Sequence, residues 1–341
     1  MMLSMRIAVM VCTIVCSPLT LAVTPWTWCY KKKFSQHPLQ KKSAEQAFTK
    51  INLMPFTQLI FSWNAHMPNA GGYRFFVRVR DVATKRWSSW HRMAEWGSMG
   101  ATTFYSKHAD GVKYCHVRLE MRKGHYADGF QIKVEPLYGA PLGFIKMLTV
   151  STSDLTSFEP EKGAAYRQMT SVNIPDVPAW SQRELQHPRT PVLCSPTSLC
   201  VLASYLSDVQ FDPLDFVEGV FDKGLAVYGS WPCNIAYAFH ATEGSIFFHV
   251  QRLHNFKSLY DYLRKGIPVV VSVRGVLTGA PKAYPGGHLL TVVGFDPHHR
   301  LVLCHDPAVW SSDKVEKKYR LDEFLAAWEG SHRLAYIGDP A

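Results

Sequence analysis

Cys194, His288 and Asp306 are spaced so that a thiol, an imidazole and a carboxylate can meet in one site. Cys194 opens the run Cys194-Ser-Pro-Thr-Ser-Leu-Cys200. Pro196 suits the first turn of a helix, where its missing N–H is an orphan in any case and its φ is already helical. That places Cys194 at a helix mouth, where free N–H groups and the macrodipole favour thiolate over thiol. His288 opens the apolar run Leu289–Phe295, and Asp306 ends the run Leu301–His305. Both runs read as strands joined by the turn Asp296-Pro-His-His299. In a hairpin centred on Pro297, positions equidistant from it face each other, and His288 and Asp306 are such a pair. Directly opposite side chains have Cβ atoms roughly 5 Å apart, so Asp306 is expected to orient the ring. Nucleophile, base and orienter is the arrangement of thiol hydrolysis.

Each piece alone has a structural reading. A cysteine before a helix is commonly a buried small hydrophobe, Gly-Gly-His a loop, and Asp-Pro a turn. The joint fit to one geometry favours chemistry. Of the other histidines, His298 and His299 fall at the turn tip. Cys233, after Pro232 at another helix start, is the rival nucleophile.

In order, Trp180-Ser-Gln182, Cys194-Ser-Pro-Thr, Trp231-Pro232, Ala236-Tyr-Ala238, Gly266-Ile-Pro-Val-Val, Gly287-His-Leu-Leu and Asp306-Pro-Ala308 carry a family resemblance. The segment 175–338 resembles the papain-like cysteine peptidases related to the bacteriocin leader-processing peptidases, and among these their stand-alone exported relatives. The resemblance implies that Cys194 is the nucleophile, His288 the general base and acid, and Asp306 the orienter. It also implies that Gln182 donates its side-chain amide to the oxyanion hole. A tetrahedral intermediate needs donors aimed at its developing O⁻, and the Cys194 backbone N–H with that amide would make two. No transporter domain is recognised downstream, so a double-glycine leader is not the expected substrate.

The elements around these residues suggest two domains. Phe56–Trp63, Gly72–Asp81, Arg86–Met93, Val112–Met121, Gly129–Leu137 and Phe144–Ser153 read as strands. In Tyr73–Arg80, apolar Tyr73, Phe75, Val77 and Val79 alternate with Arg74, Arg78 and Arg80. Short antiparallel strands with one buried face predict an all-β sandwich over residues 50–155. Trp63, Trp87, Trp90 and Trp96 read first as its packing, and second as a platform for a glycan. Cys115 alternates with Val117, Leu119 and Met121 and is expected to be a core thiol. A polar, Pro-containing stretch, 151–178, reads as a linker. Beyond it, helices at 194–206, 213–221, 232–240, 256–264 and 320–328 with strands at 267–273, 289–295, 301–305 and 334–337 predict an α+β domain over 173–341. As a papain-like domain holding the whole catalytic set, this segment is expected to fold alone.

With 341 residues, 47% hydrophobic and 13% aromatic, the chain can fill sizeable cores and is not a disordered or fibrous one. Residues 1–22 carry Arg6, an apolar run Ile7–Cys16 and the small-residue site Thr20-Leu-Ala22, the form of a signal peptide. The protein is therefore expected to be exported, periplasmic or secreted, with no membrane span after signal removal. The formal charge of +10 is spread without a basic helix face or nucleic-acid module, so nucleic acid is not an expected partner and anionic envelope polymers are. No cofactor is expected, nor a metal, because no paired metal-ligand spacing appears. The expected function is an exported cysteine peptidase acting on peptide or protein substrates through an acyl-enzyme. The alternatives are a thiol acyltransferase or amidase on envelope peptides, and a non-catalytic envelope or glycan-binding protein with a vestigial triad.

Overall fold

Alternating apolar and polar residues give this chain more antiparallel strand than helix. The computed structural model describes residues 25–161, 166 and 169–340, so the expected signal peptide lies outside the described residues. Two sheets come from the N-terminal half. The first runs in the order Thr27–Lys33, Ile145–Ser153, Gln58–Ala65, Arg118–Met121, Val112–Tyr114, Lys107–Ala109. The second runs Phe48–Lys50, Ala127–Leu137, Gly72–Asp81, His91–Gly97, Gly100–Thr103. Phe61, Trp63, Leu148 and Val150 of the first meet Phe75, Val77, Phe130 and Ile132 of the second in one core. In Gly72–Asp81 the expected alternation holds, since Phe75, Val77 and Val79 are buried between half-exposed neighbours.

Trp63 and Trp96 lie inside that core, where Trp63 stacks on Phe61 and Phe75. A platform of four tryptophans is thereby excluded. Trp87 and Trp90 remain at the surface, both against the Arg78 guanidinium. The strand expected over 112–121 is instead two strands. His116 and Val117 adopt left-handed φ of 35° and 63° in the turn between them. Cys115 is buried, as expected, and donates to Glu120. Strands at 27–33, 100–103 and 107–109 were not foreseen.

The C-terminal half forms a seven-stranded sheet, with Ile246–Arg252 at one edge, then Leu334–Pro340, Val269–Gly275, Tyr284–Asp296, Leu301–His305 and Glu316–Arg320; Val172–Asn173 also pairs with Tyr284–Asp296. Helices Cys194–Ser207, Pro213–Val220, Trp231–Ala241, Phe256–Leu263 and Leu321–Glu329 fall within about two residues of expectation. None of the described helices is long and apolar enough to cross a membrane.

The halves are not packed as separate bodies. Cys233 and Ala236, from helix Trp231–Ala241, belong to the core around Trp63. Ile60 and Met147, from the first sheet, belong to the core around Leu199 and Phe248. The outward N–H groups of Phe248, Val250 and Arg252 on the sheet edge are met by Asn64 Oδ1 at 2.8 Å, Ser62 Oγ at 3.4 Å and Ser151 Oγ at 3.3 Å. Side chains of the N-terminal half thus cover an edge that would otherwise present unpaired backbone. Such sharing speaks against a C-terminal half that folds alone. The stretch read as a linker is also tied down: Glu161 accepts from the Phe256 N–H at a helix start and pairs with Arg333.

Candidate active site

Cys194 is the first residue of its helix, half-buried, with Pro196 in the first turn as expected. The N-cap, Leu193, offers no side-chain acceptor, so nothing competes for the free N–H groups there. Ser198 of this helix donates to the Leu289 carbonyl at 3.2 Å, which holds the helix mouth against the strand that carries His288. Gly287, inside that strand and next to His288, has a φ of +97°, a conformation that residues with a Cβ rarely adopt.

His288 and Asp306 meet, by a different register from the one expected. The turn is Pro297–Arg300, because Asp296 pairs with Leu301; a β-bulge at Val293 then shifts the pairing so that Thr291 faces His305. Continued one step past the strand end, that pairing carries Asp306 to the level of Leu290, with His288 as the diagonal neighbour on the same face. Without the extra residue, Asp306 would face Thr291 and His288 would point the other way. Bulges beside active sites commonly re-aim a side chain in this manner. Strand Val172–Asn173 packs against the bulge, where a Cβ on Gly294 would lie 2.4 Å from the Val172 carbonyl oxygen.

His288 Nε2 contacts Asp306 Oδ1 at 2.7 Å, which leaves Nδ1 for the hydrogen bond to the Cys194 thiol. Asp306 is fully buried and accepts three further bonds: the Ala308 N–H at 3.0 Å on Oδ1, and the Tyr284 and Tyr319 hydroxyls at 2.8 and 2.6 Å on Oδ2. Burial alone would raise its pKa, but His288 and these donors hold it down to about 2. On His288, burial works against the charged ring; Asp306 and Cys194 outweigh it and raise the pKa to about 9. On Cys194, burial favours the thiol, while His288 and the Leu289 N–H together bring the pKa below its ordinary value. The three groups favour a thiolate–imidazolium pair with an ionised aspartate behind it.

Cys233 is fully buried, and burial with Asp222 nearby raises its thiol well above the ordinary range. Burial likewise raises Cys200 and Cys304. Cys304 sits in the core of the C-terminal sheet. All six described cysteines are free.

Gln182 lines the same cavity of about 510 Å³ as Cys194 and His288. Its backbone N–H donates to the Pro307 carbonyl and its side-chain amide to the Thr190 carbonyl at 2.7 Å, which leaves one amide hydrogen uncommitted. Ser181 bonds to the Val309 carbonyl, so the Ser-Gln element is pinned to the loop after Asp306. Sequence reasoning missed Tyr284 and Tyr319. Tyr284 also stacks on His288, with ring centroids 4.0 Å apart. The signal for Tyr284 was its position four residues ahead of His288, on the same face if the strand starts early enough. Tyr319 is the buried residue in the charged strand Glu316–Arg320. Also missed was a buried network behind the nucleophile: Ser195 bonds Asn234 and Tyr336, and Asn234 donates to the Tyr228 and Ser230 carbonyls.

Residues 174–336 match the family described as the Peptidase_C39 like family, and the match contains all four candidate residues. This region is similar to that family. The match supports a cysteine peptidase, and the matched segment starts where strand Val172–Asn173 docks on the bulge. Among solved structures it is similar to xylellain, a cysteine protease from Xylella fastidiosa. That likeness has 13% identity over 54% of this chain and 91% of that chain, with a TM-score of 0.32. No curated protein matches.

Proposed function

We propose that this peptidase cleaves peptide bonds by covalent catalysis at Cys194, within a β-rich first half (50–155) and a catalytic second half (173–341) that work as one unit. The observation that carries the reading is the hydrogen-bonded series Asp306–His288–Cys194 opening into a cavity. The Cys194 thiolate adds to the scissile carbonyl carbon, and the tetrahedral oxyanion is held by the Cys194 backbone N–H and the free amide hydrogen of Gln182. As the C–N bond breaks, the leaving nitrogen takes the proton from His288 Nδ1, leaving a thioester. Water attacks the thioester while Nδ1 accepts its proton, and the thiolate departs with release of the acid. Asp306 stays ionised throughout and keeps Nε2 protonated, so that Nδ1 is always the nitrogen facing the reaction. The reading retains export, on the grounds of the apolar run after Arg6.

The test is intact-mass and peptide-map analysis after exposure to a thiol-reactive peptide electrophile. One adduct, on Cys194, is the expected result, and it should be absent from the Cys194→Ala protein. Labelling spread evenly over several cysteines would sink the assignment.

A further inference from the structure

The cavity that holds Cys194 and His288 extends beneath the N-terminal half, and its charge is one-sided. Arg118, Arg189, Arg252, Arg274 and Lys282 line it, against Glu120 as the one carboxylate among its lining residues. Glu120 is already committed, accepting from Arg118 at 2.7 Å, from Gln58 at 3.2 Å and from Cys115 at 3.2 Å.

Arg252 is the informative member. It is 6% exposed, yet no carboxylate touches it. Its Nε and Nη2 both donate to Gln58 Oε1, at 3.0 and 2.6 Å, and its Nη1 donates to the Ser331 and His332 carbonyls, at 2.6 and 2.8 Å. One Nη2 hydrogen remains uncommitted. A buried cation satisfied only by neutral acceptors is costly unless something negative arrives. Its neighbour His332 registers the same field: burial, then Arg252, Arg274 and Arg118, drive its pKa down to about 4. At the rim, Arg274 and Lys282 are exposed and have no hydrogen bond or ion pair among the described residues. Arg189 lies over the Tyr228 ring.

We propose that this cleft selects peptides bearing a carboxylate, held by Arg252 from the cavity wall and by Arg274 and Lys282 from the rim. The proposal rests on the catalytic reading above and names its substrate class. It gives the N-terminal half a part in recognition, since Gln58 of strand Gln58–Ala65 orients Arg252, and Arg118 comes from strand Arg118–Met121. Low-dielectric walls with one sign of charge concentrate the field and raise the capture rate of the opposite charge. The carboxylate could be a side chain or a chain terminus, and experiment separates the two.

Two matched pairs of electrophiles serve as probes on the full chain. Acetyl-Glu-Ala and acetyl-Gln-Ala chloromethyl ketones differ in a side-chain charge. Iodoacetyl-Ala-Gln as free acid and as amide differ in a terminal charge. The second-order rate of adduct formation on Cys194 is measured for each. At least one acidic probe should react about tenfold or more faster than its neutral partner, and which pair responds identifies the source of the carboxylate. In the Arg274→Ala/Lys282→Ala protein, with both substitutions at exposed positions, the acid-to-neutral ratio should fall by about threefold or more, Arg252 keeping the remainder. Ratios near unity for both pairs in the unaltered protein would overturn the proposal. So would a ratio left intact by the double substitution, because the rim cations would then take no part in holding the carboxylate. If the neutral probes also fail on Cys194, the catalytic reading itself falls, a result distinct from a lost charge preference.

Discussion

Asn64 pairs with Phe248 as a strand would: its amide donates to the Phe248 carbonyl at 2.6 Å, and its carbonyl oxygen accepts from the Phe248 N–H at 2.8 Å. One side chain closes both outward backbone groups of a residue on the edge of the catalytic sheet. With Ser62 on the same strand, the run Ser62-Trp63-Asn64 divides its side chains between two neighbours. Ser62 and Asn64 face the peptidase half, and Trp63 points into the core between the two N-terminal sheets.

Asn64→Ala should leave two buried backbone groups unpaired and lower the unfolding free energy by roughly 2–4 kcal/mol. Urea unfolding followed by tryptophan fluorescence measures it, and a change below about 0.5 kcal/mol would contradict the pairing. Limited proteolysis probes the same shared core from another side. Cleavage between residues 155 and 173 should not yield a C-terminal piece that stays folded once separated.

Thiol reactivity should be selective. At mildly acidic pH, Cys194 should alkylate well ahead of Cys200, Cys233 and Cys304, whose thiols burial pushes up. Brief iodoacetamide treatment of the folded protein followed by peptide mapping reads the order directly. Preferential labelling of Cys233 would reverse the assignment.

The pH dependence follows from the same pair. Activity should rise as pH climbs through the lowered pKa of Cys194 and fall as His288 loses its proton near pH 9. Because Asp306 is the main influence holding the imidazolium, Asp306→Asn should move the alkaline fall to lower pH and reduce kcat by about 10²–10⁴-fold. A kcat profile across pH 4–10 for both proteins tests the sign; an unmoved alkaline limb would remove Asp306 from the role.

Tyr284→Phe and Tyr319→Phe each withdraw one donor from Asp306 Oδ2. Losing a hydrogen bond to the charged form should raise the aspartate's pKa and bring forward the acid loss of activity. Gln182→Ala acts elsewhere and should cost about 10²–10³ in kcat with little change in the pH limbs, as for other single oxyanion donors. Full activity of the Gln182 variant would send that role to another group.

Much of the site was legible because thiol chemistry needs few residue types in constrained places. Cys194 before Pro196 specified a helix mouth, and His288 and Asp306 flanked a turn. Their register was not legible. Val293 is one more apolar residue in an apolar strand, and nothing in its type announces a bulge. Tyr284 was hidden by Pro285-Gly-Gly287, which reads as a loop although the strand runs through it. Strand Thr27–Lys33 was missed because three of its seven residues are exposed lysines, a composition that an edge permits and a core does not. The cationic cleft was invisible for a different reason: Arg118, Arg252 and Arg274 are far apart in the chain and meet only through the packing of the two halves.

For protein engineering, the bulge at Val293 belongs with the proposed His288–Asp306 pair, although it supplies neither side chain. Moved to a regular hairpin with the same turn, the histidine and the aspartate would stand back to back. A transplant of this pair must carry the misfit residue with it, or lengthen one arm by a single position to restore the phase.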